Sequence, residues 1–141
     1  RNIYIGRNQY LIKMEKDVET FYDNVAEDYS DHDDRVCDKI TEYFIIENLP
    51  NKTLRILDAG GGTGRFSEPL LKKEHKVVLT ELSAEMLNKA KKKLGSYKNV
   101  EFIKNSVTNM IEFKDESFDV VIMINAILDY CGDYNKTMQE A

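Results

Sequence analysis

The segment Asp58-Ala59-Gly60-Gly61-Gly62-Thr63-Gly64 constrains this chain more than any other, because it follows the apolar run Leu54-Arg55-Ile56-Leu57 without a break. A strand that ends in closely spaced glycines and runs into a helix makes a turn whose backbone can approach a ligand, since no side chain stands in the way. The helix behind it, expected from about Arg65 to Glu74 with Pro69 in or near its first turn, offers unpaired N–H groups. Val77-Val78-Leu79-Thr80, Val100-Glu101-Phe102-Ile103 and Phe118–Ile124 read as further strands, the last so continuously apolar that it should be covered on both faces. Ser83 can cap a helix whose Leu87, Ala90 and Leu94 share one face until Gly95 ends it. Alternating strands and helices predict an α/β fold, a doubly wound parallel sheet with right-handed crossovers, whose ligands sit at the carboxyl ends of the strands, where these glycines lie.

The first 50 residues are helical in pattern. Val18, Phe21, Tyr22, Val25 and Tyr29 share one face of a helix expected from Glu15 to near Ser30, while residues 1–12 show no clear period. Val36, Ile40, Tyr43 and Phe44 mark a second helix that Pro50 closes. The chain thus divides into an N-terminal helical segment, 1–50, and an α/β core, 51–141.

Composition narrows the partners. With 42% hydrophobic residues and a net charge of −5, the chain can bury a core and has no charge excess suited to a polyanion, so no nucleic-acid partner is expected. No apolar run is long enough for a membrane span and Arg1-Asn2-Ile3-Tyr4 lacks a signal-peptide pattern, which predicts a cytoplasmic protein. Cys37 and Cys131 form no CxxC pair. Asp28, Asp31, His32, Asp33 and Asp34 lack the glycine and distal glutamate of a calcium loop and read as a solvated helix start, and His32 and His75 have no H-x-x-x-H partner, so no metal is expected. Lys89 and Lys91-Lys92-Lys93 read as the wet face of their helix.

Spacing bears on which nucleotide-like ligand the glycines serve. A dinucleotide fingerprint G-x-G-x-x-G would require glycine at 65, where this chain has Arg65. Leu57-Asp58-Ala59-Gly60-Gly61-Gly62-Thr63-Gly64-Arg65-Phe66 instead resembles motif I of the class I S-adenosylmethionine-dependent methyltransferases. Glu81-Leu82-Ser83-Ala84-Glu85-Met86-Leu87 resembles that family's segment after strand two, and Asp115-Glu116-Ser117-Phe118-Asp119-Val120-Val121 its approach to strand four. Phe21-Tyr22-Asp23-Asn24-Val25-Ala26-Glu27-Asp28-Tyr29 is similar to the helix before the core in small-molecule, type 11-like members.

The resemblance implies a Rossmann-like methyltransferase fold, S-adenosyl-L-methionine as cofactor, and S_N2 transfer of its methyl group to a small-molecule acceptor. It implies that Asp58, Gly60, Gly62 and Gly64 form the cofactor loop, that Glu81 accepts hydrogen bonds from both ribose hydroxyls, and that Leu82 packs on adenine. The family commonly shows Gly-Asp-Ala after strand three, where this chain has Asn105-Ser106-Val107. Either the Ser106 side chain or the backbone of Ser106 or Val107 then meets the adenine amino group, with roughly 1 kcal/mol lost for the missing charge. Tyr29 is expected on a lid over the methionine part. Asn125 and Asp129 follow strand four, where they either approach the methyl group or cap a later helix. No catalytic residue is assigned, since positioning alone can carry methyl transfer to a neutral amine or an acidic carbon. The family's sheet has seven strands and this chain has room for four, so the core is expected to be incomplete, with strand four as an exposed edge open to self-association. An NAD-dependent oxidoreductase and a non-catalytic module of the same fold are the alternatives.

Overall fold

A computed structural model of the chain describes residues 7–27, 36–110 and 113–124, with side chains from Lys16 and Lys39 onward in the first two stretches. In chain order the elements are α1 (Arg7–Val25), α2 (Val36–Asn48), β1 (Arg55–Ala59), α3 (Ser67–Lys72), β2 (Lys76–Glu81), α4 (Ala84–Leu94), β3 (Val100–Lys104) and β4 (Val120–Ile122). The strands form one parallel sheet in the order β3-β2-β1-β4. The doubly wound α/β, Rossmann-like architecture follows from the alternation of elements. The chain steps from β1 outward to β3 and then returns to the other side of β1, so the direction of winding reverses between β1 and β4.

β1 and β2 are buried from their second residue onward, as central strands of a sheet covered on both faces must be. Successive side chains alternate between the faces. Ile56, Val77 and Leu79 join Leu70 and Leu71 of α3 and Leu87, Ala90 and Leu94 of α4 in the larger cluster, while Leu57, Ala59 and Val78 face Met110 in the smaller one. β4 is shorter than the expected 118–124 and only half-buried, because β1 is its sole strand neighbour among the described residues. It is clamped there by Arg55 and Asp119: the Arg55 N–H donates to Asp119 Oδ2 (2.7 Å), the Asp119 N–H returns a bond to the Arg55 carbonyl (2.8 Å), and the Arg55 guanidinium covers the Phe118 ring.

At the opposite end of the sheet from the glycines, the Leu54 N–H donates to His75 Nδ1 (3.2 Å), and the Asn99 amide donates to the His75 carbonyl (2.6 Å). His75 is buried and pins the starts of β1 and β2 together.

Two helical expectations need correction. α1 begins at Arg7, not Glu15, because Leu11 and Met14 continue backward by threes and fours the spacing of Val18, Phe21 and Val25, with neither Gly nor Pro to interrupt. In α2 the predicted face is the exposed one: Ile40, Tyr43 and Phe44 are 48%, 63% and 61% exposed, while Ile45, Ile46 and Leu49 pack on the core. The helix is apolar on more than one side, and among its described side chains those of its last turns reach the core.

Candidate functional site

The carboxyl ends of β1 and β2 bring two acids under one loop. Asp58 is the fourth residue of β1 and Glu81 the last of β2; the parallel pairing sets Asp58 beside Leu79, so Glu81 lies two residues further along on the same face of the sheet. Between them the chain turns through Gly60, Gly62 and Gly64, at φ of +71°, +55° and +79°. The Gly61 N–H donates to the Thr80 carbonyl (2.9 Å), which ties the loop to β2 as it leaves β1.

Gly61 is a member of this site that spacing missed. A Cβ there would stand 2.8 Å from both Asp58 Oδ2 and Leu79 Cγ, so the loop backbone rests directly on the acid. Position 61 is unspecified in a G-x-G-x-G pattern, and only the packing shows what it does.

Glu81 is 8% exposed, and its two oxygens are engaged separately. Oε2 accepts from the Gly62 N–H (3.0 Å) and Oε1 from the Ser83 N–H (2.8 Å). Burial raises its pKa, while these N–H groups oppose the rise. The Leu82 N–H also bonds to this carboxylate, whose roughly four lone-pair sites still leave room for a further donor. Asp58 is deeper, at 3% exposure, and its Oδ2 accepts from the Ser67 hydroxyl (2.6 Å) at the first turn of α3. Burial pushes it up to about 6, against the Ser67 bond and with the charge of Glu81 adding to the rise.

Folding therefore favours the neutral form of Asp58. Its contribution to stability is fully present below the unfolded value near 3.8 and is lost as pH rises through about 6. Above that the buried charge costs roughly 3 kcal/mol at most. Asp58→Asn keeps an acceptor for Ser67 and removes the charge. We expect urea unfolding to find it level with the wild type below pH 4 and about 1–3 kcal/mol more stable at pH 8. A difference that did not change with pH would refute the assignment of Asp58 as a charge held at a cost.

The exit from β3 completes the rim. The Asn105 N–H donates to the Glu81 carbonyl (3.1 Å), which brings Ser106 to the end of β2. The Ser106 hydroxyl is occupied locally, accepting from the Thr108 N–H (3.2 Å) and lying 2.9 Å from Thr108 Oγ1. Val107 turns its side chain into the smaller core cluster, leaving its backbone at the rim. Leu82 is half-buried directly after Glu81. Asp58, Gly60, Gly62, Gly64, Glu81, Leu82, Ser106 and Val107 are thus gathered at one end of the sheet. Tyr29 and Asn125, and the acidic run from Asp28 to Asp34, lie outside the described residues. Among the described residues no three His, Cys, Asp or Glu side chains are grouped to hold a metal, and no helix is long and apolar enough to cross a membrane.

Chemically, the arrangement presents hydrogen-bond acceptors at the end of β2 and bare loop backbone beside them, in a field made negative by two carboxyl groups. That suits a ligand bearing hydroxyl donors and positive charge.

Comparison with known proteins gives a consistent result. The Methyltransferase domain family matches residues 56–141. The chain is 36% identical over 107 residues to the ubiquinone/menaquinone biosynthesis C-methyltransferase UbiE of Rickettsia prowazekii (strain Madrid E), covering 68% of this chain and 42% of that protein. It is 29% identical over 98 residues to the tRNA 5-carboxymethoxyuridine methyltransferase of Escherichia coli (strain K12), covering 67% and 37%. Its fold superposes on a SAM dependent methyltransferase from Aquifex aeolicus with a TM-score of 0.61 at 25% identity, over 70% of this chain and 55% of that one. The chain spans less than half the length of these two curated relatives.

Proposed function

The chain belongs to the Methyltransferase domain family, and from that premise we propose that it binds S-adenosylmethionine at the carboxyl ends of β1 and β2 and transfers a methyl group to a small-molecule acceptor. When bound, that cofactor supplies a methyl group activated on a positively charged sulfur. The observation that carries the reading is the Glu81 carboxylate, which the Gly62, Ser83 and Leu82 N–H groups orient at the loop without filling all of its roughly four lone-pair sites.

The residues fit the group. Glu81 holds the ribose hydroxyls, Leu82 covers one face of the adenine, and Ser106 or the backbone of Val107 meets its amino group. The loop through Gly60, Gly62 and Gly64 carries the methionine part, with Asp58 supporting it from below. A Cβ at Gly62 would meet only Met86 Cε, at 3.5 Å, so the backbone there is open. Tyr29 covers the methionine part and Asn125 lies toward the methyl group in this reading. No proton transfer is assigned to a residue, because alignment with the methyl group is enough for a neutral amine, whose product gives its proton to water, or for an acidic carbon that has already ionised.

The small-molecule acceptor rests on the net charge of −5, which disfavours docking of a polyanion. The tRNA methyltransferase among the relatives makes tRNA the competing substrate to test. With a radiolabelled methyl donor, label is expected in a metabolite fraction, and label in tRNA would overturn that choice. For the cofactor, calorimetric titration should show binding of S-adenosylhomocysteine in preference to NAD. Glu81→Ala should weaken it by about 1–3 kcal/mol, or about 5–150-fold. Preference for NAD, or an unchanged affinity in the variant, would overturn the site.

A further inference from the structure

Among the described residues, α1 and the two residues after it make polar contacts with β3 and α4. Lys104, the last residue of β3, pairs with Glu19, and Lys89 Nζ of α4 donates to the Glu27 carbonyl (3.1 Å). Between them Asp23 places one oxygen, Oδ1, where it accepts both the Ser83 hydroxyl (2.5 Å) and the Glu85 N–H (3.2 Å).

Ser83 is fully buried and serves two purposes at once. As the N-cap of α4 its hydroxyl oxygen accepts from the Met86 N–H (3.1 Å), and its own N–H donates to Glu81 Oε1. Capping uses the oxygen of the hydroxyl and leaves its proton over. Asp23 takes that proton, from 60 residues away in sequence, and fixes the first turn of α4 through Glu85 as well. The chain of contacts runs from α1 through Asp23 and Ser83 to the carboxylate of Glu81.

We infer that Asp23 is a positioning residue for Glu81: by holding Ser83 it holds the N–H that presents Oε1, and so couples the seating of α1 to the affinity of the site for a nucleoside. The inference rests on the reading of Glu81 as the ribose acceptor. Coupling of this kind is reciprocal, so a bound nucleoside strengthens the docking of α1 by the same factor that docking strengthens binding.

Adenosine is the probe, because it reaches the ribose acid without the methionine part that a covering helix could touch directly. Its affinity is measured for the wild type, Asp23→Ala, Asp23→Asn, Glu81→Ala and the double variant Asp23→Ala with Glu81→Ala. Asp23→Ala should weaken adenosine about 3–30-fold, the scale seen for residues that act on a ligand without contacting it. Asp23→Asn retains an oxygen acceptor and should lose less. In the Glu81→Ala background the Asp23 substitution should cost nothing further. Hydrogen exchange supplies an independent readout: saturating adenosine should slow exchange in α1 of the wild type and leave α1 of Glu81→Ala unchanged. Equal losses from Asp23→Ala in both backgrounds, or no loss in the wild-type background, would overturn the inference while leaving the ribose reading intact. Unchanged affinity in Glu81→Ala alone would overturn the ribose reading and the inference with it.

Discussion

Gly64→Ala is expected to cost the fold about 2–5 kcal/mol. Two terms add. An L-residue held at φ of +79° is strained by about 1–2 kcal/mol. The new Cβ would also stand 2.4 Å from Leu94 Cδ1 and 3.2 Å from Leu79 Cδ1. Both leucines are fully buried in the larger cluster, so neither can swing into empty space, and overpacking of this kind costs about 1–3 kcal/mol. Because domains of this size are held by about 5–15 kcal/mol, the loss should be plain as a lower urea midpoint at unchanged slope. A loss of no more than about 1–2 kcal/mol, the strain alone, would mean that Leu94 repacks freely and that Gly64 is there only for its backbone.

Gly62→Val should do the reverse, sparing most of the fold and abolishing binding. Gly62 also has positive φ, at +55°, so a branched residue is strained by about 1–3 kcal/mol. Its Cβ, however, points into space bounded only by Met86 Cε. The valine methyls would fill the open side of the loop beside the N–H that meets Glu81. We expect S-adenosylhomocysteine affinity to fall more than about 100-fold, which is more than about 2.7 kcal/mol, with far-UV circular dichroism unchanged and a smaller drop in midpoint than for Gly64→Ala. Wild-type affinity in the variant would take the ligand off this loop. The pair separates two jobs that one glycine motif combines, since Gly64 makes room for the core and Gly62 makes room for the ligand.

Much of this was legible in the sequence where local chemistry decides the outcome. The apolar runs gave β1 and β2, Pro69 fell in the first turn of α3, and Ser83 caps α4 with Leu87, Ala90 and Leu94 buried below it. The ribose role expected of Glu81 came from the resemblance of its segment to the methyltransferase one, and the structure sets its carboxylate against the glycine loop. What escaped was whatever depends on a distant partner. The face of α2 that packs is chosen by where α3 and the sheet stand, not by its own periodicity. Gly61 matters because Asp58 and Leu79 come from two strands to touch it, and Asp23 because α4 presents its first turn to α1. Neither position differs in type from its neighbours in a way that composition or spacing registers.

The bond from Leu54 to His75 Nδ1 gives the sheet one more property. An imidazole that accepts an N–H there must be neutral and carry its proton on Nε2. Burial lowers the His75 pKa, so its contribution is present above the ordinary value near 6.5 and is lost as pH falls through the lowered one. Asp58 behaves oppositely at the other end of the same pair of strands, where acid relieves a buried charge. Between neutrality and pH 4 the β1–β2 ladder therefore acts as a seesaw: acid slackens the end that His75 pins and tightens the end that cradles the ligand.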